Sequence, residues 1–464
     1  MDLLPNSIEA RDAACVLHGN TNLRAHLESG PLVIDRGEGI YVIDNDGKRY
    51  IEAMAGLWSV ALGFSESRLV DAASRQLNTL PYYHNFSSKS HAPQIELAER
   101  LVAMAPVPMS KAYFANSGSE ANDTALKMII YRSNALGQPE RKKFISRLRA
   151  YHGVTYATAS LTGLPNNHRS FDLPMAGVFH LSTPDFWRGG QPGESEEQFS
   201  TRLALELEAL ILKEGPETIA AFFGEPVMGA GGVIVPPANY WAKIQAVLRK
   251  YDILLVADEV ICGFGRTGRM FGSETFDIKP DIMVLSKQMS SCYAPISALL
   301  VNDKVFDPIA DESQRIGTFG HGFTAGGHPL SAAISLETLN IIEERDLVSH
   351  AARVGSHMQS RLRELASHEL VGQVRGVGLI AAVELVGDKQ SKQPLDGAPG
   401  KLGAMVNATL QNAGVISRAL GDATAFCPPL IITESQVDTM VGRLADVLDE
   451  VAKAIRRGPT EAPI

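Results

Sequence analysis

Apolar residues follow two rhythms along this chain. Short runs with little alternation, Lys111–Ala115, Ile219–Phe223, Ile253–Ala257 and Ile282–Leu285, read as strands buried on both faces. Between them lie amphipathic stretches with helical spacing, Glu120–Ala135, Glu196–Leu212 and Tyr240–Tyr251. Strand then helix, repeated, predicts an α/β fold with a mostly parallel sheet covered by helices on both faces. The two ends differ. Within Gly39–Ala53, Asp44-Asn45-Asp46-Gly47 marks a hairpin turn between two short strands. After about Arg345 come a long helix, the strand Leu379–Leu385, a polar loop (Gly387–Gly400) and two more helices. These ends predict one smaller α+β domain, residues 1–60 and 336–464, beside a large domain, residues 61–335.

Composition narrows the class. At 464 residues the chain exceeds one ordinary domain, and 45% hydrophobic with 20% charged residues is usual for a globular enzyme. The net charge of −9 argues against nucleic-acid binding through bulk charge. Cys15, Cys262, Cys292 and Cys427 show no close pairing, which predicts neither a disulfide framework nor a metal motif and points to a reducing cytoplasm. Met1-Asp2-Leu3-Leu4-Pro5 has no basic stretch followed by an apolar one, so no signal peptide is expected. No apolar run reaches the ~20 residues that span a bilayer, so no membrane partner is expected either.

Four local patterns carry chemistry. Asn116-Ser117-Gly118-Ser119-Glu120 joins a strand to a helix, where small residues and a helix N-terminus suit an anion. Tyr151-His152-Gly153 follows the run Lys143–Leu148, and an aromatic ring there can stack on a flat heterocycle. Asp258-Glu259 follows an apolar strand directly, at the carboxyl end where open α/β sheets bind ligands, and a buried carboxylate there wants a cation. Lys287 ends the apolar run Ile282–Leu285, and a buried lysine tends toward the neutral, nucleophilic amine. Each alone has a plainer reading: Ser119 as a helix cap, Tyr151 as a packed surface ring, the acids as a solvated loop entry, Lys287 snorkelling at a sheet edge. Together they supply a phosphate cradle, a stacking ring, an acid for a ring nitrogen and a lysine, the parts that hold pyridoxal phosphate. His152, His321 and His328 have no familiar metal-ligand spacing, and no metal is expected at the site. The run Gly263–Gly268 follows Asp258 rather than opening a helix, unlike a dinucleotide fingerprint.

Over nearly its whole length the sequence resembles the class III (ω-amino acid) aminotransferases of fold type I. The matching stretches are Met54–Trp58, Phe114–Asn122, Tyr151–Gly153, Gly224–Val227, Asp258–Gly268, Leu285–Gln288, His321–Thr324 with Gly327–Pro329, and Arg418. The resemblance implies a large domain with a mostly parallel seven-stranded sheet and pyridoxal 5'-phosphate as cofactor. It also implies roles for single positions. Lys287 would be the covalent anchor and catalytic base, Asp258 the partner of the pyridine nitrogen, and Tyr151 and Val260 the residues on either face of the ring. Gly118 and Ser119 would bind the phosphate, with Thr324 supplied by the other subunit of a homodimer. Trp58 and Phe86 match substrate-pocket positions, Phe323 would enter from the partner, and Arg418 matches a mobile arginine that binds a carboxylate. Cys292, Ala294 and Ala325 depart from commoner residues in ways that bear on substrate range.

The implied activity has two halves at one site. A primary amine or ω-amino acid gives up its amino group, and a keto acid, with pyruvate favoured, receives it. A decarboxylase, racemase or aminomutase would use the same lysine and aspartate, and a non-catalytic protein on this scaffold would need neither.

Overall fold

A computed structural model describes residues 4–457; Met1–Leu3, where the reading of the N-terminus starts, and the last seven residues of the small-domain expectation lie outside the described residues. The dominant element is a seven-stranded sheet. Its strands run, edge to edge, Lys111–Ala115, Ser297–Val301, Ile282–Leu285, Leu254–Asp258, Ile219–Gly224, Lys143–Arg147 and Val178–Leu181. All neighbours are parallel except Ser297–Val301, which is antiparallel to both of its own. Three of the four predicted apolar runs are central strands, each fully buried; the fourth, Lys111–Ala115, is an edge strand buried only at Phe114 and Ala115.

Alternate residues of these strands enter different cores, as the two-residue period requires. Phe223, Val256 and Val284 pack with Ala121, Ala125 and Ile129 of the helix Gly118–Ala135. Phe222 and Leu255 pack instead with Leu203 and Leu207 of Glu196–Glu214 and with Trp241 of Tyr240–Lys250. Met283 and Leu285 join a third cluster with the C-terminal helices Pro329–Glu344, Leu347–Arg363 and Glu434–Arg457. Strands Val178–Leu181 and Ser297–Val301 are additions to the expected set.

Two four-stranded sheets are built from the ends. In the first, the predicted hairpin of Tyr41–Asp44 and Arg49–Glu52 is extended by Ile34–Glu38 on one side. On the other, Val415–Ile416 pairs parallel with Arg49–Glu52, Val415 opposite Ile51. The second sheet is antiparallel: Val371–Val377, Ile380–Leu385, Ala423–Phe426 and Arg418–Leu420.

One buried cation ties the small antiparallel sheet to the large one. Arg266 is fully buried and donates to the carbonyls of Leu379 (2.9 Å) and Pro428, and to Gln288 Oε1 (3.0 Å). Gln288 in turn donates to Ile261 and Gly263 carbonyls (3.1 and 2.7 Å). The glycine-rich run Gly263–Gly268 therefore serves as a structural junction beside Lys287.

Candidate active site

The carboxyl ends of the central strands open onto a cavity of about 280 Å³. Six residues singled out from the sequence line it: Gly118, Ser119, Tyr151, Asp258, Val260 and Lys287. Asp258 and Lys287 arrive on adjacent parallel strands, with Asp258 opposite Val284 in register, so the lysine projects one short step beyond the acid.

Asp258 is 4% exposed. Its Oδ2 accepts from Asn122 Nδ2 and from His152 Nδ1, both at 2.8 Å, and its Oδ1 accepts from the Val260 backbone N–H at 3.1 Å. Asn122 also donates to the His152 carbonyl at 3.0 Å, which ties both partners to one frame. Three donors stabilise a carboxylate that burial would otherwise make costly. Glu259, the other acid of the pair, turns away. It is fully buried and accepts from the N–H groups of Gly272 (2.9 Å) and Ser273 (2.6 Å), and burial raises its pKa to about 7.

Lys287 stands at φ +48° after the strand, enclosed by protein, and burial lowers its pKa, with nearby Asp258 opposing that shift. Its side chain makes no hydrogen bond or ion pair with any described residue. Glu225, fully enclosed and raised by burial, accepts from Tyr151 N–H (3.1 Å) and Gly229 N–H (3.0 Å), which fixes the start of the loop carrying Tyr151. At the phosphate-cradle turn, the helix cap is Ser117, whose Oγ accepts from Glu120 N–H (3.2 Å). Ser119 is free of that duty; its Oγ accepts from Val154 N–H (3.2 Å). Gly118 matters for its size, since a Cβ there would lie 3.1 Å from Val260. Cys292 and Ala294, the departures noted in the sequence, also line the cavity.

The remaining sequence candidates stand outside this cavity. Thr324 is exposed, its carbonyl accepting from Tyr82 Oη at 2.8 Å. Phe86 is 40% exposed and its ring lies against Gly322, where a Cβ would come within 2.2 Å of it. Phe323, next along, sets its ring edge-on to His321 at 5.3 Å. Phe86, Phe323 and Thr324 thus share one outer face. Trp58 is buried in a cluster with Ile261, a cavity-lining residue, and so sits one layer behind the wall. Arg418 is partly buried near Tyr151, and its side chain makes no hydrogen bond or ion pair with a described residue; burial lowers its pKa, with Tyr151 opposing. Asp422, the acid that could have paired with it, accepts from Gly400 and Gly403 N–H groups at 2.8 and 3.0 Å instead.

Sequence patterns did not single out Asn122 or Glu225, and set His152 aside as a metal ligand without giving it a part. Their roles depend on strand order, which no local spacing encodes. His321 accepts from Lys127 Nζ at 2.9 Å and pairs with Thr124 Oγ1 at 2.9 Å, while His328 caps the helix Pro329–Glu344.

Behind Trp58, Glu52 is buried and accepts from Gly56 N–H within a turn where Ala55, Gly56 and Trp58 all have positive φ.

Residues 24–448 match the model of the family described as aminotransferase class-III. The chain is 50% identical over 428 residues to a gamma aminobutyrate transaminase 1, mitochondrial, of Solanum lycopersicum, covering 92% of this chain and 82% of that one. The solved omega transaminase of Pseudomonas jessenii in complex with PMP is 61% identical, with TM-score 0.96, covering 98% of this chain and all of that one. A thermostable omega transaminase variant engineered for asymmetric synthesis of enantiopure bulky amines is equally similar, at 61% identity and TM-score 0.96, covering 97% and 100%. The cofactor of this family is pyridoxal phosphate, and the cavity fits it. A lysine with no other partner, a buried carboxylate already oriented by three donors, and a glycine-opened helix N-terminus converge there.

Burial raises the Glu52 carboxyl from 4.5 to about 8. A folded-state value above the unfolded one gives stability that is complete below about pH 4.5 and is lost as pH rises through about 8. Glu52→Gln, which keeps an acceptor for Gly56, should therefore gain on the wild type as pH rises, its melting temperature improving by about 2 °C or more between acidic and mildly alkaline buffer. A difference that does not change with pH would contradict this account of Glu52.

Proposed function

The chain belongs to the class III aminotransferases, and on that premise we propose that it transfers the amino group of a primary amine or ω-amino acid to a keto acid, with pyruvate as the acceptor. The observation that carries this reading is Arg418: an arginine partly buried near Tyr151 with no ion-pair partner among the described residues. A guanidinium in that position suits a substrate carboxylate, to which it can offer a bidentate pair. An amine without a carboxylate leaves it unengaged.

Bound, pyridoxal phosphate supplies an aldehyde that holds the amine and an electron-poor ring that accepts the charge developing at the donor carbon. The chain's residues do the rest in this reading. Lys287, kept toward its neutral form by burial, anchors the cofactor and moves the proton at the donor carbon. Asp258, held by Asn122, His152 and the Val260 N–H, keeps a proton on the ring nitrogen. Tyr151 and Val260, which line the cavity, would flank the ring, and Gly118 and Ser119 at the start of the helix Gly118–Ala135 would bind the phosphate. Trp58 shapes the substrate pocket from behind the cavity wall.

We assign the outer face of Phe86, Phe323 and Thr324 to the neighbouring site of a homodimer. Phe86 and Thr324 are exposed, Phe323 is half-buried and none of the three lines the Lys287 cavity, which supports it, and Thr324 would reach the partner's phosphate. Residues 61–335 form the large domain and the two ends the small one in this reading, which the pairing of Val415–Ile416 with Arg49–Glu52 supports. No described helix is long and apolar enough to cross a membrane. All four cysteines are free, which supports a reducing compartment, the cytoplasm in this proposal.

Arg418→Ala should lower kcat/KM for pyruvate roughly ten- to hundredfold, the worth of a charged hydrogen bond. The half-reaction of an amine without a carboxylate, followed alone by the change in cofactor absorbance in a single turnover, should fall much less. An equal fall in both would mean that Arg418 is structural and that the carboxylate is held elsewhere.

Subunit sharing is tested by mixing a Lys287→Ala chain with a Thr324→Ala chain. In a heterodimer with shared sites, one site combines Lys287 with intact Thr324 and the other has neither. Activity above both parent homodimers is the expected result; no gain after confirmed subunit exchange would mean that each site is built within one chain.

A further inference from the structure

Far from the cavity in sequence, the first two described helices, Ile8–Cys15 and Leu23–Ser29, bring three metal-ligating groups to one point. Asp12 Oδ1 lies 2.8 Å from His18 Nε2 and 3.1 Å from His26 Nε2, and the ligand atoms of the three residues all lie within 4.8 Å of one another. The two imidazole centroids are 4.2 Å apart, with the rings tilted 48°. Asp12 and His18 are six residues apart and Asp12 and His26 fourteen, so the turn between the helices, not a local motif, closes the group.

The way these helices are held adds a second observation. Neither buries an apolar side chain; the one buried residue of the pair is His26. Ile8, Leu23 and Leu27 are all more than 40% exposed. A helical hairpin without a core of its own is the setting in which a metal supplies the missing cross-link.

We propose that Asp12, His18 and His26 form a binding site for one divalent transition-metal ion of the borderline class that takes imidazole and carboxylate together, such as zinc. A tetrahedral ion with bonds of about 2.0–2.1 Å holds its ligand atoms about 3.3 Å apart, close to the two contacts already present. His18 is 31% exposed along its side chain, which leaves a position open for water. On binding, each imidazole turns its Nε2 lone pair to the ion and carries a proton on Nδ1. Neither Nδ1 hydrogen-bonds to a described residue. Closing the site would lock the first helix onto the second and leave the transamination site untouched.

The holoenzyme, stripped with a chelator and re-purified, is titrated with zinc sulfate against a chromophoric competitor. The wild type should bind one zinc per chain, and Asp12→Asn and His18→Gln should each weaken binding about tenfold or more. Zinc should also slow tryptic cleavage after Arg11 and Arg24 in the wild type and not in the variants, while transaminase activity is unchanged throughout. Absence of stoichiometric zinc binding, or binding that both variants retain in full, overturns the proposal. Should a variant misfold, the electron paramagnetic resonance of Cu(II) added at one equivalent to the wild type decides. Nitrogen coupling from two imidazoles supports the site, and its absence overturns it.

Discussion

Burying a carboxylate at the end of a parallel strand is the constraint around which the rest of the site is organised. Asp258 loses its water, and an uncompensated charge at that depth would cost several kcal/mol or simply take up a proton. Three donors from separate places offset that cost: Asn122 from the helix Gly118–Ala135, His152 from the loop after Lys143–Arg147, and the Val260 N–H from its own turn. Because two of them share Oδ2 and Asn122 also grips the His152 carbonyl, the three elements are fixed relative to one another. A network satisfied in this way orients its carboxylate tightly, so Asp258 presents a fixed negative charge to the cavity.

The neighbouring ionisable groups follow from that charge and from depth. Glu259 and Glu225 are drawn out of water and pushed upward by burial, and both spend their oxygens on backbone N–H groups rather than on the cavity. Lys287 is left as the one amine facing Asp258 across the cavity, with burial lowering its pKa against the pull of the acid. The result is a site lined by Asp258 and Glu225, the latter with its oxygens spent on backbone N–H groups, while Glu259 turns away and the Lys287 side chain is left without a described partner.

How much of this could be read from the sequence depends on what each feature is made of. The central strands were legible because residues buried on both faces leave an unbroken apolar run, and Asp258 and Lys287 were legible because each interrupts such a run at its end. Glu120–Ala135 was legible as an amphipathic helix, although the cap proved to be Ser117 and not Ser119. Asn122, Glu225 and the precise part of His152 were not legible, since the lateral order of the strands, not any spacing, brings positions 122, 152, 225 and 258 together. The short strands Arg418–Leu420 and Ala423–Phe426 carry too few residues for a period to register. The other candidates divide in the same way: Trp58 lies behind the cavity wall, and Phe86, Phe323 and Thr324 lie outside the cavity lining.

The central claim is that the donors around Asp258 exist to hold a negative charge against the cofactor's ring nitrogen. Asp258→Asn keeps the size and, with its amide oxygen toward Asn122 and His152, two of the three hydrogen bonds, giving up the charge and the bond from the Val260 N–H, so the variant should retain bound cofactor by absorbance. The decisive measurement is the single-turnover rate of its amine half-reaction, with cofactor content determined on the same sample. The account predicts a fall of about a hundredfold or more at near-normal occupancy. A rate within about threefold of the wild type would contradict it and leave Asp258 a structural residue.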